Sequence, residues 1–172
     1  GEGADELFGG YRNYVKAYWA QKLLRFAQPI LPKKLSFEQW EDLFPKIQED
    51  YYRRLAVGHD VFLTGAPAFS DRVSSSFCNL ESTMLAEDWM NKELFEFRTS
   101  RTDQRIQLSD LRWRLPELLL MRLDFITMKH SLEVRAPFLS KELLSIGLNM
   151  EVSQKWKGPK NTKIMFRNTL NE

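Results

Sequence analysis

The chain has 172 residues, 43% of them hydrophobic and 28% charged, and a formal net charge of +2. That length is enough for one domain with a real core, and so small a net charge supplies no field for nucleic acid or an anionic membrane surface. The lone cysteine, Cys78, excludes an internal disulfide, and no apolar run reaches the ~18–20 residues of a membrane span.

Lysines and arginines are spread along the chain and form no long basic tract. Twelve Phe and five Trp point to much buried aromatic surface, or to a surface that meets another domain. The opening on acids and glycines is unlike a signal peptide, so the expected compartment is the cytoplasm. There is no initiator Met, and the strand that should precede a phosphate-binding turn is missing. The expectation is a fragment, residues 1–172 of one domain, whose first residue falls inside a motif.

Gly1 to Tyr11 sets Glu2, Asp5 and Glu6 among small residues just ahead of Gly9-Gly10. Glycine allows positive φ and close ligand approach. Carboxylates beside such a turn can hold Mg²⁺, which in turn binds phosphates. The same acids also suit the first turn of a helix, where the dipole favours them.

Tyr11 to Phe26 is predicted helical, with Tyr11, Tyr14, Val15, Tyr18, Trp19 and Leu23 on one face. Pro29 and Pro32 end it. Ser36 is an N-cap candidate, and Gln39 completes a capping box. Phe37, Trp40, Leu43, Phe44 and Ile47 form the apolar set, with a kink expected at Pro45 and the helix resuming through Tyr51, Tyr52 and Leu55 to Gly58. His59 to Ser76 is expected to be loop with short helical pieces. His59 and His130 lie too far apart, with no cysteine cluster, to suggest zinc. Cys78 is expected to be inert.

Asn79 to Phe97 is predicted helical and Arg98 to Arg105 a solvated turn. A break is expected near Leu115, then a helix from Pro116 to about His130. The run Leu118-Leu119-Leu120-Met121 predicts burial on most sides. Arg122 and Asp124 interrupt that environment, as a salt bridge or as ligand-binding groups. Residues 131–139 are expected to form an ordered loop under the site, braced by Glu133 and Arg135. Ser140 is the predicted N-cap of a helix to Leu148. Glu151 to Pro159 is predicted as a loop whose Lys155, Lys157 and Lys160 are solvated or form a mobile phosphate clamp. A last helix covers Asn161 to Leu170. The fold class expected is mainly α, with no strand.

Three stretches carry a resemblance. GEGADELFGGY resembles the signature of the synthetase domain of glutamine-hydrolysing asparagine synthetases. Leu119 to Asp124 with Met128 to Leu139, and more weakly Lys163 to Arg167, are similar to later parts of the same domain and come in the same order. The resemblance implies the helical C-terminal portion of an α/β pyrophosphate-loop synthetase domain. It implies ATP and Mg²⁺ as cofactors, adenylation of a carboxylate such as aspartate, and ammonia from an N-terminal glutaminase domain absent here. Residue by residue it implies Glu2 as the catalytic group beside the reacting carboxyl and Asp5 as the metal ligand. Gly1, Gly3, Glu6 and Lys163 would line the nucleotide phosphates, and Arg122 would bind substrate. A homodimer stays open.

The chain departs from the family pattern in lacking the Ser-Gly-Gly-rich loop and the adenine pocket. The family lysine that acts on the reacting phosphate would fall past Glu172. Ser140 stands where Asp is usual, and Phe125 where a basic residue is common. The substrate stays open on those grounds, and other carboxylates are alternatives to aspartate. A non-catalytic helical interaction module is the alternative from another class, with a plain Mg²⁺-binding protein as a third. An interaction module has no need of Glu2, Asp5 and Arg122 together.

Overall fold

The computed structural model describes residues 2–43, 54, 56, 73, 76, 77, 92, 93 and 101–170. Gly1, the Pro45 kink, most of the helix resumption to Gly58, most of the loop expected over 59–76, Cys78 and most of the helix expected over 79–97 lie outside the described residues. The described elements are α1 (Ala4–Phe8), α2 (Arg12–Ala27), α3 (Phe37–Leu43) and α4 (Thr102–Ser109). A π-helical segment (Asp110–Leu120) runs on into α5 (Met121–Met128), and α6 (Lys141–Asn149), α7 (Val152–Lys155) and α8 (Ile164–Leu170) follow. Among the described residues the β structure is one isolated antiparallel bridge, Trp156 to Thr162. The mainly helical class is as expected. No described helix is long and apolar enough to cross a membrane.

The chain divides into two compact units, Gly1–Lys16 with Thr99–Glu172, and Ala17–Arg98. In the second unit, the Ser36 N–H donates to Gln39 Oε1 (2.9 Å) and the Gln39 N–H to Ser36 Oγ (3.3 Å), which is the expected capping box. Trp40 on α3 is buried. The predicted face of α2 is buried at Tyr14 and Val15, but Trp19 and Leu23 stand about half and two-thirds exposed.

The first unit has a core of Ala4, Leu7, Phe8 and Met150, packed by Phe138, Leu143, Leu144, Leu148 and Phe166. Ser140 caps α6 as predicted, accepting from the Leu143 N–H at 3.3 Å. Leu7, fully buried, lies against Gly147 of α6.

Several expectations fail here for local reasons. The chain does not break at Leu115. Helical winding continues from Thr102 to Met128, and Pro116 sits inside the wider π-helical stretch. That winding relieves the clash between a proline ring and the carbonyl four residues back. Residues 116–130 are not buried on most sides: Met121, Phe125 and Met128 are each more than half exposed. An all-round apolar sequence signals burial only where neighbours exist to cover every side. The helix ends at Ser131, whose φ of 56° and the Leu132 N–H to Thr127 carbonyl bond (3.0 Å) form a left-handed cap. Of the loop expected over 131–139, Pro137–Leu139 packs under the opening turn as expected, but Glu133 and Arg135 do not brace it: they are exposed and pair with each other. They lie two apart in extended chain, so their side chains share a side. The predicted 151–159 loop begins instead as α7, closed by a Glu151–Gln154 capping box. The last helix starts at Ile164, not Asn161, because the bridge holds Thr162 extended.

An alanine Cβ at Gly147 would come within 2.3 Å of Leu7 Cγ. Gly147→Ala gains about 1 kcal/mol of helix propensity but overpacks a fully buried contact, costing about 1–3 kcal/mol. A lower urea midpoint is expected; an equal or higher midpoint would show that the contact is loose.

Candidate functional site

The site grows from α1, a helix of five residues between glycines. Gly9 ends it with φ 68°, and the Gly9 and Gly10 N–H groups both reach the Asp5 carbonyl oxygen. A Cβ on Gly10 would lie 1.7 Å from Asp5 Oδ1. Position 10 therefore has to be glycine for the Asp5 side chain to turn back over the helix end. A Cβ on Gly3 would lie 2.5 Å from Leu139 Cδ2, so the opening turn packs directly on the Pro137–Leu139 stretch.

Asp5 Oδ1 meets Lys163 Nζ at 2.9 Å, with side chains 40% and 22% exposed respectively. An ion pair this open contributes about 0–1 kcal/mol, so an incoming ligand can separate it readily. Lys163 also has φ 53°. A left-handed conformation at a residue with a side chain costs about 1–2 kcal/mol, more than the pair returns. Strain retained in this way is a mark of a constrained site.

The three motif stretches meet at an aromatic cluster. Phe8 stacks on Phe166 at 5.1 Å and meets Phe138 edge-on at 6.3 Å, and Phe138 meets Phe166 edge-on at 5.4 Å. Each residue comes from a different stretch: Phe8 from the first, Phe138 from the second, Phe166 from the third. The contact turns one face of α8 towards α1 and so brings Lys163 to Asp5.

Two polar networks lie beneath. In one, Tyr11 Oη donates to Glu6 Oε1 (2.7 Å), and Tyr14 Oη donates to Asp110 Oδ2 (2.6 Å). Arg114 Nη1 donates to the same Asp110 oxygen (3.1 Å), and its guanidinium lies 4.6 Å from the Tyr11 ring centre. Burial, then the Glu6 acceptor, pushes the Tyr11 hydroxyl far above its usual range. Burial and the Asp110 charge do the same to Tyr14. Burial raises the Asp110 carboxyl above its ordinary value despite its donors. Burial would lower Arg114, and the Asp110 charge and hydrogen bond together with Tyr11 and Tyr14 outweigh it, so the guanidinium is raised above its ordinary value.

In the other network, Lys155 Nζ donates to Asp103 Oδ2 (2.9 Å) and Gln107 Oε1 (2.7 Å). Gln107 Nε2 donates to the carbonyl oxygens of Glu6 (3.0 Å) and Leu7 (2.6 Å). Arg101 Nη2 bridges Asp103 (2.9 Å) and the Met150 carbonyl (2.8 Å). Asp103 and Lys155 are both fully buried. Burial would raise the Asp103 carboxyl, and the donors Arg101 and Lys155 outweigh it, so it lies below the usual carboxylate range. Burial lowers the Lys155 ammonium, and Asp103 restores only part. The polar stretch expected at 98–105 is thus not a solvated turn from Arg101 on, and Lys155 is neither solvated nor a mobile clamp. Lys157 and Lys160 are exposed.

Of the residues singled out from sequence, Asp5 and Lys163 come together. Glu2 is half-buried on the turn before α1. Gly3 supplies the N-cap of α1 with φ 91°. Glu6 is buried, turned inward to Tyr11. Arg122 is exposed on α5 and makes no ion pair or hydrogen bond among the described residues. Sequence inspection missed Asp103, Gln107, Asp110 and Arg114. They recur at four-, three- and four-residue steps, a polar stripe along one helix face.

The fold and site define a helical unit in which a glycine-flanked acid on a short helix faces a strained lysine. The asparagine synthase family model matches residues 1–172, and the chain belongs to that family. A curated relative, asparagine synthetase [glutamine-hydrolyzing] 1 of Bacillus subtilis (strain 168), is 25% identical over 178 residues. The match covers 97% of this chain and 26% of the relative, so the chain spans about a quarter of that protein's length. No solved structure matches the chain.

Asp103→Asn leaves the Lys155 ammonium buried beside a neutral amide, at a cost of about 3–5 kcal/mol near neutral pH. The folded pKa of Asp103 lies below its unfolded value of about 3.9. Its stabilisation is therefore complete above that value and lost as pH falls through the folded pKa. Urea unfolding of wild type and D103N is expected to differ most near neutral pH and to converge as acidification carries the pH through the folded pKa of Asp103. A gap independent of pH would contradict the pairing.

Proposed function

We propose that the chain is the phosphate-facing helical part of an ATP-dependent amide-forming synthetase, acting on a carboxylate for which aspartate is the first candidate. The observation that carries this is the meeting of Asp5 on the motif helix with Lys163 just before α8, 2.9 Å apart and partly open to solvent. One carboxylate beside one ammonium suits a triphosphate: the acid takes a metal, the lysine takes a phosphate oxygen. Among the described residues no group of three or more His, Cys, Asp or Glu could hold a metal alone. The donor set thus fits Mg²⁺ carried in on phosphates, since that ion is commonly bound by one or two carboxylates plus phosphate.

When bound, Mg²⁺ neutralises phosphate charge and so eases departure of pyrophosphate. The substrate carboxylate oxygen forms a bond to the α-phosphorus of ATP, and the bond to pyrophosphate breaks. Lys163 stabilises the charge gathering on the leaving group. Ammonia then adds to the acyl carbon, AMP departs, and Glu2 takes the surplus proton. Arg122, an exposed cation on α5, is assigned to the substrate's anionic end. Glutamine hydrolysed by a separate glutaminase domain would supply the ammonia, and the setting would be the cytoplasm, where ATP is at hand. A second reading, a helical interaction module, draws on the exposed Met121, Phe125 and Met128 of α5.

Pyrophosphate release by the full-length protein, with ATP, Mg²⁺ and glutamine across a panel of carboxylates, checks the proposal. One acid is expected to trigger release, and Asp5→Ala and Glu2→Ala to abolish amide formation. Lys163→Met is expected to raise the KM for ATP about tenfold or more, as loss of a charge-assisted bond implies. Silence across a broad panel would sink the enzyme reading in favour of the interaction module.

A further inference from the structure

The polar stripe and the lysine that meets it have no task in the transfer chemistry itself. Lys155 closes α7, fully buried. On one side its Nζ reaches Gln107, and Gln107 passes its two amide hydrogens to the Glu6 and Leu7 carbonyls. Those carbonyls lie at the C-terminal end of α1, where helix oxygens have no partner within the helix. On the other side the backbone of Lys155 leads into Trp156, which bridges Thr162, the residue before Lys163. Trp156 also closes over α1: a Cβ on Gly9 would lie 2.4 Å from its ring. A single ammonium is therefore joined to the helix bearing Asp5 through Gln107, and to the turn bearing Lys163 through the chain.

Removing an ammonium from water costs several kcal/mol, and an apolar side chain of similar length would fill the same space without that cost. What an apolar side chain cannot do is fix direction. Directed bonds to Asp103 and Gln107 set where α1 ends relative to the Trp156–Thr162 bridge.

We propose that Lys155 is a positioning residue, with Gln107 as its arm, that sets the register between Asp5 and Lys163. The inference rests on the phosphate-site reading above. Neither residue is placed on the phosphates; both act through the elements that carry the two groups that are.

The test uses the full-length protein and follows pyrophosphate release against Mg²⁺ concentration. Gln107→Glu keeps the shape and an acceptor for Lys155, but turns an oxygen instead of a donor towards the two carbonyls. The expected result is a rise of about tenfold in half-saturating Mg²⁺, the scale of one lost hydrogen bond, with kcat at saturating Mg²⁺ little changed. The Lys155→Met/Asp103→Leu double variant guards against a folding defect: apolar replacement of both members of a buried ion pair is often nearly neutral for stability, Arg101 keeps the Met150 carbonyl and the Glu151 carboxylate, and Gln107 loses the ammonium that aims it. It is expected to keep the wild-type thermal midpoint within a few degrees and still show the raised Mg²⁺ requirement. Wild-type Mg²⁺ dependence in either folded variant would overturn the positioning role and leave the phosphate site standing. A wild-type protein that releases no pyrophosphate would overturn the phosphate site, and this inference with it.

Discussion

A helix of five residues cannot sustain itself in water, because nucleation costs more than so few hydrogen bonds return. Helix α1 depends on what grips its ends. At its C-terminal end the grip is the Gln107 amide, with both donors spent on α1 carbonyls and its oxygen held by Lys155. Lys155 is held by Asp103, and Asp103 by Arg101, which also ties the end of α6 through the Met150 carbonyl. The result is a continuous chain of directed bonds from the α6 terminus to the motif helix. Low dielectric strengthens each link and makes a missing link expensive.

Apolar packing supplies the rest of the grip. The Phe8, Phe138 and Phe166 rings lock together the three stretches that carry the family resemblance. Gly3 against Leu139, and Gly147 against Leu7, let backbone and side chain approach where any Cβ would collide. These contacts have no direction of their own, whereas the Lys155 network does. Packing sets which elements meet, and hydrogen bonding sets their register. The open Asp5–Lys163 pair is a charged contact weak enough to yield to a ligand.

Much of this was legible from local rules. The Ser36 and Ser140 caps, helix α2, the lack of a described strand and the gathering of small residues around Asp5 all follow from short-range chemistry. The errors share a cause. Sequence rules place a break at Pro116 because they assume α-helical winding, and a π-helical segment evades the clash. Lys155 looked solvated beside a Gly-Pro turn, since its partner Asp103 lies 52 residues away and no local signal announces it. The stripe of Asp103, Gln107, Asp110 and Arg114 was visible as a period but not as a buried face, because polar residues at helical spacing usually mark the solvent side. The apolar run around Arg122 and Asp124 predicts buried surroundings, whereas both residues are exposed on α5.

On the proposed function, Asp5 and Lys163 exchange their mutual contact for a metal and a phosphate. The most direct measurement is a structure of the full-length protein with Mg²⁺ and a non-hydrolysable ATP analogue. Asp5 is expected on the metal and Lys163 on a phosphate oxygen, their own pair opened, with the Lys155–Gln107–α1 bonds unchanged. An intact Asp5–Lys163 pair with the nucleotide bound elsewhere would contradict it.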